Sequence, residues 1–114
     1  MMNDVKLIGR LATVPTLQHT AQGTSVTTFR IAVDRVSAKD ATGTTSTDFF
    51  SVVAWNQVAD TLVRYAAKGR LVVIDGRLQS RQYMASDNTP RAVVEVVARS
   101  VTFLDRPSGK DISA

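Results

Sequence analysis

Between Gly76 and Met84 the side chains Arg77, Gln79, Arg81 and Tyr83 recur at every second position, the spacing that places them on one face of an extended strand. Two guanidiniums and an aromatic ring in one row suit a charged polymer that carries flat bases. Guanidinium pairs with phosphate, and the ring offers a surface for stacking. The same row could equally be the solvated outer face of an ordinary strand. A second set lies in Asp48–Trp55, DFFSVVAW. Phe49 and Phe50 are adjacent, so on a strand they point to opposite sides. Phe50 falls with Val52 and Ala54 on the inward side, and Phe49 falls with Ser51, Val53 and Trp55 on the other. Phe49 and Trp55 are therefore expected outside, either as a stacking platform or as part of an interface between subunits. Lys6, Arg10 and Arg30 stand on neighbouring strands and could supply further phosphate contacts.

Catalysis finds little support. The chain holds one histidine, His19, one glutamate, Glu95, and no cysteine. A general base needs a partner that orients it, and metal hydrolysis needs several converging ligands. The nine aspartates are scattered, several of them in turn-like segments where Asp is favoured for backbone reasons. His19 reads as a surface residue, and no glycine-rich phosphate loop is present. The expectation is a binding protein without catalytic residues, metal or cofactor.

The elements that must position these side chains follow from the apolar pattern. Val5–Leu11 alternates as a first strand with Gly9 at a bend. After a short extended piece, Pro15–His19, and a turn at Ala21–Ser25, Val26–Asp34 is a second strand, with Phe29, Ile31 and Val33 on one face and Arg30 on the other. Arg35–Thr47 is too long for a tight turn and reads as a loop, or as a hairpin that projects from the body. Asp48–Trp55 is the third strand. A helix over Asn56–Lys68 carries an apolar stripe of Val58, Leu62, Tyr65 and Ala66, with Asn56 as its N-cap and Gly69 at its left-handed end. Leu71–Gln82, apolar on both faces as far as Ile74, is the fourth strand. Met84–Pro90 is a turn, and Arg91–Leu104 is the fifth strand, where Phe103 is expected to pack. Residues 105–114 read as a short, polar, disordered tail. Five strands with a helix between the third and fourth predict an all-β oligonucleotide/oligosaccharide-binding (OB-fold) barrel over residues 1–104.

Composition agrees with a single domain of this kind. The 114 residues are 44% hydrophobic and 21% charged, within the range of a globular protein. The net charge of +4 favours polyanionic partners, and ten of the fourteen basic residues are arginine, which forks phosphate and stacks on rings. No segment has the length of a membrane span or the pattern of a signal peptide. The absence of cysteine suits a reducing cytosol, and a cytoplasmic protein is expected.

At the level of whole segments the chain resembles the bacterial single-stranded DNA-binding protein family. The resemblance runs from Val5 to about Leu104 through LIGRL, GTSVTTFRIAV, DFFSVVAWNQVAD, YAAKGRLVVIDGRLQSRQY and VVEVVARSVTFL. It implies a homotetramer, built as a dimer of dimers, around which single-stranded DNA wraps with little sequence preference, in replication, recombination or repair. The family's stacking aromatics map onto Phe49, Trp55 and Tyr83, and a basic position maps onto Arg81, with Arg77 less firmly supported. Arg35–Thr47 and Met84–Pro90 match the loops that embrace DNA. There are departures. Val36-Ser37 replaces an aromatic common in relatives, Ser51 stands at an often basic position, and the acidic tail that recruits partner enzymes is not found after Asp105. The chain is expected to be either a short form of the family or a truncated stretch of a longer member, and tail-mediated enzyme partners are doubtful. The competing readings are an OB-fold interaction component of a primosome and an RNA chaperone.

Overall fold

The alternating segments pair into one closed sheet. The computed structural model describes residues 1–39 and 45–105, in the order β1 (Val5–Leu11), β2 (Gln18–His19), β3 (Ser25–Lys39), β4 (Thr45–Trp55), α1 (Asn56–Tyr65), β5 (Leu71–Met84) and β6 (Pro90–Phe103). The sheet order is β1-β5-β6-β4-β3-β2, and β1 also pairs with β3, which closes a barrel. The two-residue β2 adds to the five expected strands where His19 pairs with Ser25. The helix lies between the third and fourth long strands, as an OB-fold requires.

Two hairpins carry most of the sheet. β3 and β4 pair continuously from Val26↔Trp55 to Asp34↔Thr47, and β5 and β6 pair from Val72↔Phe103 to Met84↔Pro90. Of the expected loop or projecting hairpin over Arg35–Thr47, residues 35–39 and 45–47 are strand, as the hairpin alternative expects, and residues 40–44 lie outside the described residues. The hairpin base is fixed by a bidentate Arg35–Asp48 pair, with contacts of 2.9 and 3.0 Å, and by Thr47 Oγ1 donating to Asp34 at 2.7 Å. The parallel seam joining the hairpins consists of Val52↔Val96 and Val53↔Val97 alone.

The core is the inward parity of all the long strands: Leu11, Phe29, Ile31, Val52, Val72, Ile74 and Val96, each 2% exposed or less, with Ala59 and Leu62 from α1 filling the barrel end. Gly76 is required at a close approach, because a Cβ there would meet the Val97 carbonyl oxygen. Gly9 has the same role against the Ala32 carbonyl oxygen. The register shifts between Asp75 and Gly76, where Arg99 is the extra residue of β6. This bulge changes which parity of β6 faces out.

Several expectations need correction here. The helix ends at Tyr65, not Lys68, and Ala66 already has extended backbone. Asn56 does not cap it. The N-cap is Trp55, without a side-chain hydrogen bond, and Asn56 takes φ 58, a conformation that Asn tolerates better than most residues. Gly69 does have φ 88, but it belongs to a turn after the helix, closed by Arg70 N–H on the Ala67 carbonyl at 3.1 Å. Tyr65 is 52% exposed, and the inward stripe is Val58, Ala59, Leu62 and Ala66. Phe50 has inward parity opposite Ile31 yet remains 39% exposed. It lies beyond the β4–β6 seam, so β6 does not pair beside it.

Beside the helix end, Arg70 is buried against the Phe103 ring, 4.1 Å from its centroid. It donates to the Tyr65 carbonyl at 2.7 Å, to the Asp105 carbonyl at 2.6 Å and to the Asp105 carboxylate at 3.3 Å. Asp105 also accepts from Leu71 N–H at 3.0 Å. Partial burial pushes the Asp105 carboxyl up, but the Leu71 and Arg70 hydrogen bonds outweigh it and hold the group below its ordinary range. Asp105 therefore fastens the end of β6. Residues 106–114, the rest of the expected tail, lie outside the described residues.

Candidate nucleic-acid interface

The strand register assembles one outward face across β3, β4, β6 and β5. Arg30 pairs with Ser51, Ala32 with Phe49, and Val26 with Trp55. Across the seam, Val53 pairs with Val97 and Val97 with Arg77. Further along the β5–β6 hairpin, Gln79 pairs with Glu95, Arg81 with Val93, and Tyr83 with Arg91. The side chains proposed from sequence on β3, β4 and β5 therefore share one surface.

The rings on this face are open. Phe49 is 51% exposed, Trp55 40% and Tyr83 48%. A half-exposed aromatic leaves apolar area that stacking would cover. The Arg30 guanidinium lies over Phe49, 5.1 Å from the ring centroid, a cation–π arrangement that places a positive charge beside a stacking surface. Arg77 is exposed. Between β4 and the β5–β6 hairpin, where the seam stops, a groove of about 390 Å³ opens among Phe49, Phe50, Leu78, Val94 and Glu95. Leu78 and Val94 are 45% and 61% exposed at its edge.

Lys6 and Arg10 are placed differently. Lys6 faces Asp75 across β1–β5 and donates to Asp4 at 3.0 Å and Asp75 at 3.4 Å. The hydrogen bond with Asp4 raises the Lys6 pKa, and the same contact lowers that of Asp4. Arg99 joins the cluster, 2.8 Å from Asp4 and 3.3 Å from Asp75. Arg10 lies in a row with Ala32 and Phe49, but its guanidinium turns away, donating to the Gly69 carbonyl at 2.9 Å and lying 3.6 Å from Asp105. Both cations already have carboxylate neighbours, and neither is gathered with the exposed rings.

Glu95 is the residue that the sequence reading did not assign. It is 5% exposed, on the outward face, and it accepts from Gln79 Nε2 at 2.8 Å and from Arg81 Nε at 3.2 and 3.3 Å. The available signal was a single charged residue inside the apolar run VVEVVA. Arg91 also enters the face opposite Tyr83, 3.5 Å from Asp87 in the hairpin turn.

No group of three or more His, Cys, Asp or Glu among the described residues is arranged to hold a metal ion. No described helix is long and apolar enough to cross a membrane. An OB-fold barrel whose outward sheet face carries open rings beside guanidiniums has the features of a nucleic-acid-binding barrel. Residues 2–104 match the model of the single-strand binding protein family, and the chain belongs to that family. It is 50% identical over 105 residues to the single-stranded DNA-binding protein of Clostridium tetani, covering 91% of this chain and 71% of that one. The protein of the same name from Thermotoga maritima is 41% identical over 112 residues, covering 97% and 79%. That from Bacillus cereus is 42% identical over 109 residues, covering 96% and 64%.

Proposed function

We propose that this protein binds and protects single-stranded DNA, largely without sequence preference, during replication, recombination or repair. Bases stack on Phe49, Trp55 and Tyr83, and Arg30, Arg77 and Arg81 face the phosphates. The observation that carries this reading is the Arg30 guanidinium 5.1 Å from the centroid of a half-exposed Phe49 ring, in a chain of this family. Cation and stacking surface are adjacent there, as the repeating phosphate and base of a single strand require. Lys6 and Arg10 stand outside this contact set.

Titration with a thymine oligonucleotide at low salt tests the reading. Trp55 fluorescence should quench on binding and recover as salt is added, because neutralised phosphates release counterions. No quenching, with the protein folded, would remove Trp55 from the site. No binding by any measure would end the proposal. RNA of equal length in competition separates DNA from RNA preference.

The working form we propose is a homotetramer in the cytoplasm, associated with the nucleoid. In support, large apolar side chains stay open on the single chain: Leu78 at 45%, Val94 at 61% and Phe50 at 39% around one groove, and Ile8 at 58% apart from them on β1. Clustered apolar exposure of this kind marks protein interfaces. Mass measurement with and without a long oligonucleotide gives the stoichiometry, and a monomeric mass would overturn the assembly.

A further inference from the structure

A polyanion-binding face is an unfavourable place for a buried carboxylate, yet Glu95 occupies the middle of this one. Its side chain is 6% exposed, and Arg81, with a side chain 55% exposed, is the one cation within 4 Å of it among the described residues. The pair is made through Arg81 Nε, at 3.2 and 3.3 Å from the two carboxylate oxygens. A guanidinium has five N–H donors in a fixed plane, so a grip on Nε leaves the terminal nitrogens available. Neither terminal nitrogen has a hydrogen-bond partner among the described residues. Gln79 Nε2 also donates to the carboxylate, at Oε2, at 2.8 Å.

Charge and geometry therefore separate at Arg81. Because Glu95 is shielded from water, salt screens its attraction for Arg81 less than it screens exposed pairs. An approaching phosphate meets outward N–H donors on a fixed plane, but from a pair whose net charge is zero. Ser51, beside Glu95 in the same groove, adds no charge to offset it. We infer that Glu95 is a positioning residue of the DNA face: it fixes the Arg81 plane for hydrogen bonding and cancels the Arg81 charge, lowering both the affinity for single-stranded DNA and its salt dependence.

The inference rests on the DNA-binding reading above, and one experiment tells their failures apart. Affinity for a thymine oligonucleotide is measured for the whole chain across a fourfold rise in salt. The chains compared are the unaltered protein, Glu95→Gln, Arg81→Gln and the double variant. Gln keeps an acceptor for Arg81 Nε, and Gln79 can turn its amide to match. For single strands each neutralised phosphate adds about 0.7 to the slope of log affinity against log salt. Glu95→Gln should bind more tightly at low salt and steepen the slope by about 0.7, an extra loss of about 2.6-fold across that salt range. The double variant should return to the slope of the unaltered protein. An unchanged or shallower slope in folded Glu95→Gln overturns the inference, as does a double variant that behaves like Arg81→Gln alone. Glu95→Met, neutral and of similar length, makes the same test if the Gln variant does not fold. Absence of DNA binding by the unaltered protein would instead refute the underlying reading.

Discussion

Replacing Phe49 by alanine separates binding from folding at this face. The ring is 51% exposed on the free chain, so only about half of its apolar area is committed to the fold. Full burial of a phenylalanine side chain contributes about 1.5–3 kcal/mol, and half of that puts the folding cost near 1 kcal/mol. The exposed Arg30–Phe49 contact adds about 0.5–1 kcal/mol. Against this stands the stacking lost with DNA, about 1–3 kcal/mol per base, which is roughly a 5- to 150-fold weaker complex. Phe49→Ala should therefore melt roughly 6–16 °C below the parent, at about 4–8 °C per kcal/mol for a domain near this size, while binding a thymine oligonucleotide far more weakly at a temperature where it stays folded, and Phe49→Tyr should retain most of the affinity. Fluorescence titration and thermal melting on the same samples measure both quantities. A folded Phe49→Ala protein with parental affinity would refute the stacking argument and assign the ring to a subunit interface.

Other perturbations act on the fold rather than on the face. Arg70→Ala removes the donor to the Tyr65 and Asp105 carbonyls and the cation over Phe103. Breaking a buried pair costs about 3–5 kcal/mol, and the partial exposure of Asp105 reduces that to roughly 2–3 kcal/mol, measurable by denaturant unfolding; a loss below 0.5 kcal/mol would contradict this. Asp105 has a lowered pKa in the folded chain. Its stabilisation is thus fully present above the unfolded value near 3.9 and is lost as pH falls through the lower folded value. Asp105→Asn should be less stable near neutrality and lose less on acidification than the parent. Melting temperatures between pH 7 and pH 2 give the answer, and parallel curves would exclude this role for Asp105.

Period-two alternation made much of the sheet legible. It located β1, the centre of β3 and the inward face of β5, and it placed Phe49 and Trp55 outside. What it could not supply was the place where ladders stop and which distant charges meet. Phe50 has the parity of a core residue, but the β4–β6 seam begins only at Val52, so parity alone overstates its burial. Lys6 has one carboxylate partner, Asp4, close by in sequence, but its second, Asp75, and the Arg10 neighbour Asp105 are remote and come near only when β1 pairs with β5. The extra residue Arg99 shifts the parity of β6, which no local pattern announces. Glu95 was visible as an irregularity, whereas its grip on Arg81 depends on hairpin register.

The narrow seam between β4 and β6 also bears on how fast this chain folds. Each hairpin joins strands that are near neighbours along the chain and is stitched by many backbone bonds. The seam joins residues 44 apart and the β1–β5 ladder joins residues 61 to 71 apart, and the entropy of closing such long loops must be met before their contacts repay it. Barrel closure is thus the step that slows folding, placing the chain with the slower β proteins, in the range of about milliseconds to seconds. Until it happens, the strand edges at Val52–Val53 and Val96–Val97 remain open to pairing with other chains, so a barrel built this way runs its main aggregation risk during synthesis.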